Sequence, residues 1–326
     1  MRRREFITLL GSAAANCPIA VHAKQVAKVP RIGLLGAASA PGYASQLEAF
    51  RQGLRDLGYV EGKNIIIEYR WAEGRYDRLS ALATELVGLQ VDVILTHGTP
   101  GTQAAKRATT AIPIVMIAAG DAVATGLVDS IVRPGGNVTG SSFFLPELSA
   151  KRLELLRNAL PMVSRLAILL NPGNAIHGFV PQGIDVMARA LRLELQYVDA
   201  RGPNDFAPAL ESLAKGRAQG LVVVDDGMLI ANVVGLVDLA NRNGVPTIGF
   251  SELAEAGGLM SYGVSFPDIW RQAPTFVDKI LKGARPSDLP IEQDSRFELI
   301  INLKAAKALG LTIPSTLLQR ADRVVE

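Results

Sequence analysis

Short apolar runs alternate along the chain with longer stretches in which apolar residues recur every third or fourth position. The first run is Ile32-Gly33-Leu34-Leu35-Gly36. Leu47, Phe50, Leu54 and Leu57 follow at helical spacing, and Gly58 closes that pattern as a C-cap does. Ile65-Ile66-Ile67-Glu68-Tyr69 predicts a strand, and Leu79, Leu82 and Leu86 predict a second helix. Val91 to Leu95 and Ile114 to Ile117 are two more strands. This βαβα order predicts a parallel sheet covered by helices on both faces.

The same order restarts near residue 145. Leu153, Leu156 and Leu160 mark a helix stopped by Pro161, and Leu166 to Leu170 form a strand. A helix closes over Met187 to Leu193 and a strand follows over Leu195 to Val198. Asp205 is placed to cap a helix running through Leu213. Leu221 to Val224 is a strand, Val233 to Leu239 a helix ending at Asn243-Gly244, and Pro246 to Phe250 a strand. The fold class is therefore α/β, with two Rossmann-like doubly wound lobes. A third section carries the strand-like runs Leu259 to Tyr262 and Phe297 to Ile301. It also carries helices over Pro267 to Leu281 and Leu303 to Leu309, and its elements fit either lobe. No low-complexity linker intervenes, so ordinary chain crossings make the hinge.

Composition agrees with this class. Of 326 residues, 48% are hydrophobic and only 6% aromatic, which suits α/β cores better than a β-sandwich. The formal charge is +3 and the isoelectric point about 9.0. Residues 1–23 hold three Arg and one Glu, so the remainder carries about +1. The basic balance thus does not indicate nucleic acid, and no DNA- or RNA-binding motif occurs. Arg2-Arg3-Arg4-Glu5-Phe6-Ile7, a weak apolar stretch to Ala15 and the small residue at Ala23 follow the order of a secretory signal. The arginine pair points to the twin-arginine route. Cleavage is expected after Ala23. Cys17, the only cysteine, follows Asn16, which does not suit a lipidation site, so a periplasmic protein is expected rather than a lipid-anchored one. The cut chain then has no thiol and no cysteine-based metal site.

Motifs of enzymes are missing. Gly33-Leu34-Leu35-Gly36 lacks the dinucleotide spacing, and no phosphate-binding G-x-x-x-x-G-K-[ST] occurs. Gly249-Phe250-Ser251 begins like a nucleophile elbow, but Leu253 stands where glycine is required. His97 follows a strand, at the end where open α/β sheets hold ligands. His177, after Asn171-Pro172-Gly173-Asn174, reads as a solvated or rim-lining turn residue. No cofactor and no metal site is indicated.

What remains is a set of polar and small residues at strand ends: Ser39; His97, Gly98 and Thr99; Gly120 and Asp121; Ser141 and Ser142; Asn171; Asp226; Phe250; and Tyr262. Strand ends on one edge of a doubly wound sheet converge on one crevice. A carboxylate such as Asp226 or Asp121 suits an ammonium, while Ser39, Thr99 and backbone amides suit a carboxylate. The pairing points to an amino acid or a similar zwitterion. Taken singly, each hydroxyl also reads as turn or cap chemistry.

The chain resembles the ABC transporter substrate-binding proteins that include the tryptophan-binding TrpX type. The resemblance rests on Glu68-Tyr69-Arg70-Trp71-Ala72-Glu73-Gly74, on Arg133-Pro134-Gly135-Gly136-Asn137-Val138-Thr139-Gly140, on Ala256 to Gly263 and on Phe297 to Leu303. It implies a type I periplasmic-binding-protein fold with three crossings, near 142–145, 262–265 and 294–297. One lobe would be 30–143 plus 264–295, the other 144–263 plus 296–326. A monomer would take a small molecule into the cleft and pass it to an inner-membrane permease, with no chemistry on it. Members often carry Asp-Pro where this chain has Asp121-Ala122, so the loop keeps its carboxylate and loses a rigid turn. A sensor partner of a membrane receptor, an α/β hydrolase and a cytoplasmic sugar-type regulator are the alternatives.

Overall fold

The computed structural model describes residues 28–293 and 296–326, so the leader expectations and Cys17 lie outside the described residues. Among the described residues thirteen strands occur in chain order. They are β1 (Arg31–Gly36), β2 (Ile66–Trp71), β3 (Val93–His97), β4 (Ile114–Gly120), β5 (Val138–Phe143), β6 (Arg165–Leu170), β7 (Glu194–Asp199), β8 (Leu221–Val223), β9 (Thr247–Gly249), β10 (Met260–Gly263), β11 (Glu292–Gln293), β12 (Glu298–Asn302) and β13 (Arg323–Val325).

They form two sheets. The first has the order β11-β5-β4-β3-β1-β2 and is parallel throughout. The second has the order β13-β12-β10-β9-β8-β6-β7 and is parallel except where β10 meets β12. The third section of the sequence is thus divided. Helix Phe266–Leu281 packs on helix Ala44–Asp56 of the first lobe, whereas β10, β12 and β13 finish the second sheet. The chain leaves the first sheet after Phe143, returns after Gly263, and passes to the second sheet again between Gln293 and Glu298.

Burial on both faces explains the unbroken apolar runs. In β1, Ile32 and Leu34 enter one core cluster with Phe50, Leu54 and Trp270. Leu35 enters another with Leu82, Leu86 and Ile94 on the opposite face. Asp205 departs from its expected role. Its carboxylate accepts from the N–H groups of Arg201 and Gly202 and so fastens the turn before helix Phe206–Gly216, whose first turn it leaves uncapped.

In each sheet the strand order reverses at one strand: the chain passes from β1 to β2 on one side and then to β3 on the other, and likewise from β6 to β7 and then to β8. β1 lies between β2 and β3, and β6 lies between β7 and β8. The connections that follow this strand and its neighbour β3 or β8 run to opposite faces of the sheet, and a crevice opens between them at the carboxyl ends. A bulge shapes the neighbouring wall. The β4–β5 register jumps between Met116 and Ala119, Ala118 takes φ 49°, and its N–H donates to Ser141 Oγ at 3.0 Å. Gly140 opposite has φ 126°, and a Cβ there would lie 2.0 Å from the Met116 carbonyl oxygen. Only glycine fits beside this bulge.

Candidate functional site

The two crevices face each other. Ala37, just past β1, His97, which ends β3, and Asp225 and Asp226, beyond β8, line one void of about 20 Å³, room for a single water. Tyr76, Gly98, Thr99, Gly120, Phe143 and Phe266 are among its lining from the first lobe and the crossings, and Asn174, Ile176, Gly227 and Ile230 from the second.

Contact across the void is polar and close. Tyr76 of the first lobe donates its hydroxyl to Asp226 Oδ2 at 2.8 Å and accepts the Met228 N–H at 3.2 Å. Asp226 caps helix Gly227–Ala231 by accepting from Met228 and Leu229 N–H. Its carboxylate also accepts from Asn171 Nδ2 and Asn174 Nδ2, each at 3.1 Å. Asp225, the preceding residue, turns the other way and pairs with buried Arg152 through both terminal guanidinium nitrogens, Nη1 and Nη2. Arg152 Nε donates to the Tyr262 carbonyl at 2.7 Å, tying this pair to a crossing. Asp225 therefore has a cation, and Asp226 has only neutral donors.

The first lobe backs the void with aromatics. Tyr43 Oη and His97 Nδ1 are 2.8 Å apart, and His97 meets Tyr43 and Phe266 edge-on and leans on Trp270. Burial pulls the His97 pKa down to about 4, against the pull of Asp226, so the imidazole is neutral near pH 7. Burial, reinforced by the Asp226 charge, pushes Tyr43 and Tyr76 well above the ordinary phenol value, so both keep their protons. At the start of helix Gly98–Ala108, Pro100 at the third position has no N–H. The free first-turn donors are thus the amides of Gly98 and Thr99, which line the void.

Of the residues expected at the site, the structure gathers His97, Gly98, Thr99, Gly120 and Asp226 around this void. Asn171 lies behind it and holds Asp226. The others do not line it. Ser39 sits half-buried past β1. Asp121, at φ 25°, accepts the Ala124 N–H in a turn. Ser142 Oγ accepts the Ala122 N–H, and Phe250 is buried ahead of helix Ser251–Glu255. Tyr262 packs on Phe297. Ser141 lines a separate groove of about 270 Å³ with Phe276 and Arg296. His177 is neither solvated nor on a rim. It is 2% exposed, accepts the Asn171 N–H at Nδ1 and meets the Asp225 carbonyl through Nε2, holding both loops of the second crevice together. Tyr76, Asn174 and Gly227 also line the void, and the pattern of strand ends does not reveal them. Tyr76 stands two residues after Gly74, just past one of the segments that carry the resemblance, and Asn174 closes the turn that begins at Asn171.

The family model described as ABC transporter substrate binding protein matches residues 31–325. The chain belongs to that family. As an ABC transporter substrate-binding protein it is a solute-binding protein rather than an enzyme, and the fold is that of type I periplasmic binding proteins. It is similar to a tyrosine-binding protein of Clostridioides difficile, 28% identical over 285 residues, covering 87% of this chain and 82% of the relative. A conserved domain protein of Vibrio cholerae superimposes with a TM-score of 0.84 at 29% identity, covering 91% of this chain and 100% of that one. An ABC domain from Streptococcus pneumoniae in complex with L-Trp gives 0.82 at 25% identity, covering 91% and 99%. The ligand-free, open structure of a substrate-binding protein with adhesive properties from Clostridium difficile gives 0.62 at 26% identity, also covering 91% and 99%. Among the described residues no helix is long and apolar enough to cross a membrane.

Proposed function

We propose that this substrate-binding protein is exported to the periplasm, captures a small zwitterionic metabolite of amino-acid type between its lobes, and delivers it to the permease of an ABC importer. The observation that carries the reading is the Tyr76–Asp226 hydrogen bond, which joins two opposed sheet crevices across one void. Ligand contacts to both walls favour the state in which the walls meet, and a permease reads that shape. The superpositions support it. At nearly equal identity and coverage the lobes match the L-Trp complex far better than the open relative, the difference expected of a closed lobe angle. The amides of Gly98 and Thr99 at a helix N-terminus suit a carboxylate, and the Asp226 side of the void suits an ammonium. The relatives' tyrosine and L-Trp are of this class. The near-balanced charge beyond the first residues, about +1, offers no attraction for nucleic acid.

The test is a thermal-shift screen of the proteinogenic amino acids and their metabolites, followed by small-angle scattering. The expected result is stabilisation by at least one member together with a smaller radius of gyration. Stabilisation without compaction, or no response to any compound, overturns capture by closure.

A further inference from the structure

Buried carboxylates are normally paired with a cation. Asp226 is 2% exposed and lies beside the void, yet no ion pair reaches it among the described residues. Its hydrogen-bonding capacity is nonetheless full. Oδ1 accepts from Asn171 Nδ2, Met228 N and Leu229 N, and Oδ2 from Tyr76 Oη and Asn174 Nδ2. A carboxylate offers about four lone-pair positions. A ligand donor can reach it only by evicting one of these groups.

Asn174 is 5% exposed, lines the void and has a side-chain oxygen with no partner. The orientation of its amide is fixed chemically. Nδ2 donates to Asp226, and a flipped amide would set Oδ1 against the carboxylate. The oxygen is therefore the free acceptor that this residue brings to the void lining, and the Asp226 carboxylate is held by the other branch of the same amide. An acceptor backed by an uncompensated negative charge selects a donor that is itself positive.

We propose that Asn174 is the specificity-determining residue of the cleft: its Oδ1 accepts an N–H from a protonated primary amine of the cargo, which also supplies the cation that Asp226 lacks. The inference rests on the capture reading and narrows it. Deaminated or N-acylated versions of the cargo have no cation to offer and are rejected. A hydrogen bond to a charged group accounts for a discrimination of roughly 10- to 100-fold.

The experiment uses calorimetry and thermal shift on three sets of probes. The first is the amino acids, including L-tyrosine and L-tryptophan. The second is their deaminated acids, such as 3-(4-hydroxyphenyl)propionate and indole-3-propionate. The third is their N-acetyl derivatives. The expected result is binding confined to the first set. Equal binding of an amino acid and its deaminated acid, or binding only outside the first set, overturns the role of Asn174 and leaves capture standing. Silence from all three sets overturns capture and this inference together. Asn174→Leu, which keeps the branched shape but removes both the oxygen and the N–H that Asp226 accepts, is expected to cut the preference for the amino acid over its deaminated acid about tenfold or more. Equal weakening of both probes would mean a packing role only. Asn174→Ser, which keeps a small acceptor, is expected to retain part of the preference, and it serves where the leucine variant does not fold.

Discussion

Gly227 offers the sharpest test of lobe contact, because a single added carbon falls between the lobes. A Cβ there would lie 2.4 Å from Tyr43 Oη and 3.5 Å from both Ala37 Cβ and His97 Nδ1, all on the first lobe. Ordinary carbon contacts lie at about 3.5 Å or more, so the overlap with the hydroxyl is about 1 Å. Tyr43 cannot simply swing away. It is fully buried, packed against Trp71 and Trp270, and its hydroxyl is engaged with His97. Breaking that hydrogen bond costs about 1 kcal/mol and repacking the ring about 1–3 kcal/mol. Separating the lobes avoids both costs. Gly227→Ala is therefore expected to destabilise the closed form by about 2 kcal/mol, weakening ligand binding about 30-fold. Calorimetry would measure the affinity, and scattering would show a ligand-free protein no more compact than wild type. The lobes themselves are untouched, so the melting temperature without ligand should fall by no more than a few degrees. Affinity within threefold of wild type, with normal compaction, would refute this account of how the lobes meet.

Tyr76→Phe deletes the hydroxyl that bonds Asp226 and Met228, and should weaken ligand binding about 5- to 30-fold, chiefly through faster release in stopped-flow measurements. Arg152→Leu leaves Asp225 buried without its cation and should cost about 3–5 kcal/mol in urea unfolding, most of it recovered in the double variant with Asp225→Leu. Glu252 lies near Asp225, Glu255 and Arg152, with Gln46 of the first lobe facing it, and burial, then the charges of Asp225 and Glu255, push its pKa up to about 8. Its folded pKa is raised, so its contribution is full below about 4.5 and is lost as pH rises through 8. His97, held down to about 4, acts in the opposite sense below 6.5, so Glu252 acts alone between 6.5 and 8. The melting temperature should fall over that window in the wild type and stay level in Glu252→Gln; parallel curves would count against the assignment.

Much of the fold can be read from the chain because the inner strands of both sheets, such as β1, β3, β4, β6 and β8, are buried on both faces. Runs such as Leu221 to Val223 then have one reading, and Gly58 at φ 85° ends its helix where the pattern placed it. The third section resisted because nothing in Met260–Gly263 or Glu298–Asn302 encodes which sheet edge each will join. The antiparallel pairing of β10 with β12 is decided by long-range packing. At the site the limit was direction. Ser141 and Ser142 are adjacent, and the pleat sends one to an outer groove and the other to the Ala122 N–H. The bulge at Ala118, which sets that register, depends on left-handed backbone at Ala118 and Gly140, and alanine gives no hint of it. His177 was misplaced for a similar reason. A histidine in a turn is polar by composition, but both of its nitrogens are used by backbone groups of two buried loops.

Asp225 and Asp226 show how one strand end serves two ends with one residue type. Consecutive side chains beyond a strand point to opposite sides, so the two carboxylates meet different surroundings. Asp225 faces Arg152, which also holds the crossing at Tyr262, and the pair is closed to any further partner. Asp226 faces Tyr76, Asn171 and Asn174, all neutral, and its carboxylate lies beside the void with no cation against it among the described residues. Had Asp226 been given the arginine, the cleft would be electrically neutral and indifferent to a cationic cargo. Had Asp225 been left without it, the cost of a buried bare charge would fall on the hinge and not on the cleft. In the proposed reading, the unpaired charge therefore sits where a ligand can neutralise it, and closure around that ligand gains what the empty protein forgoes.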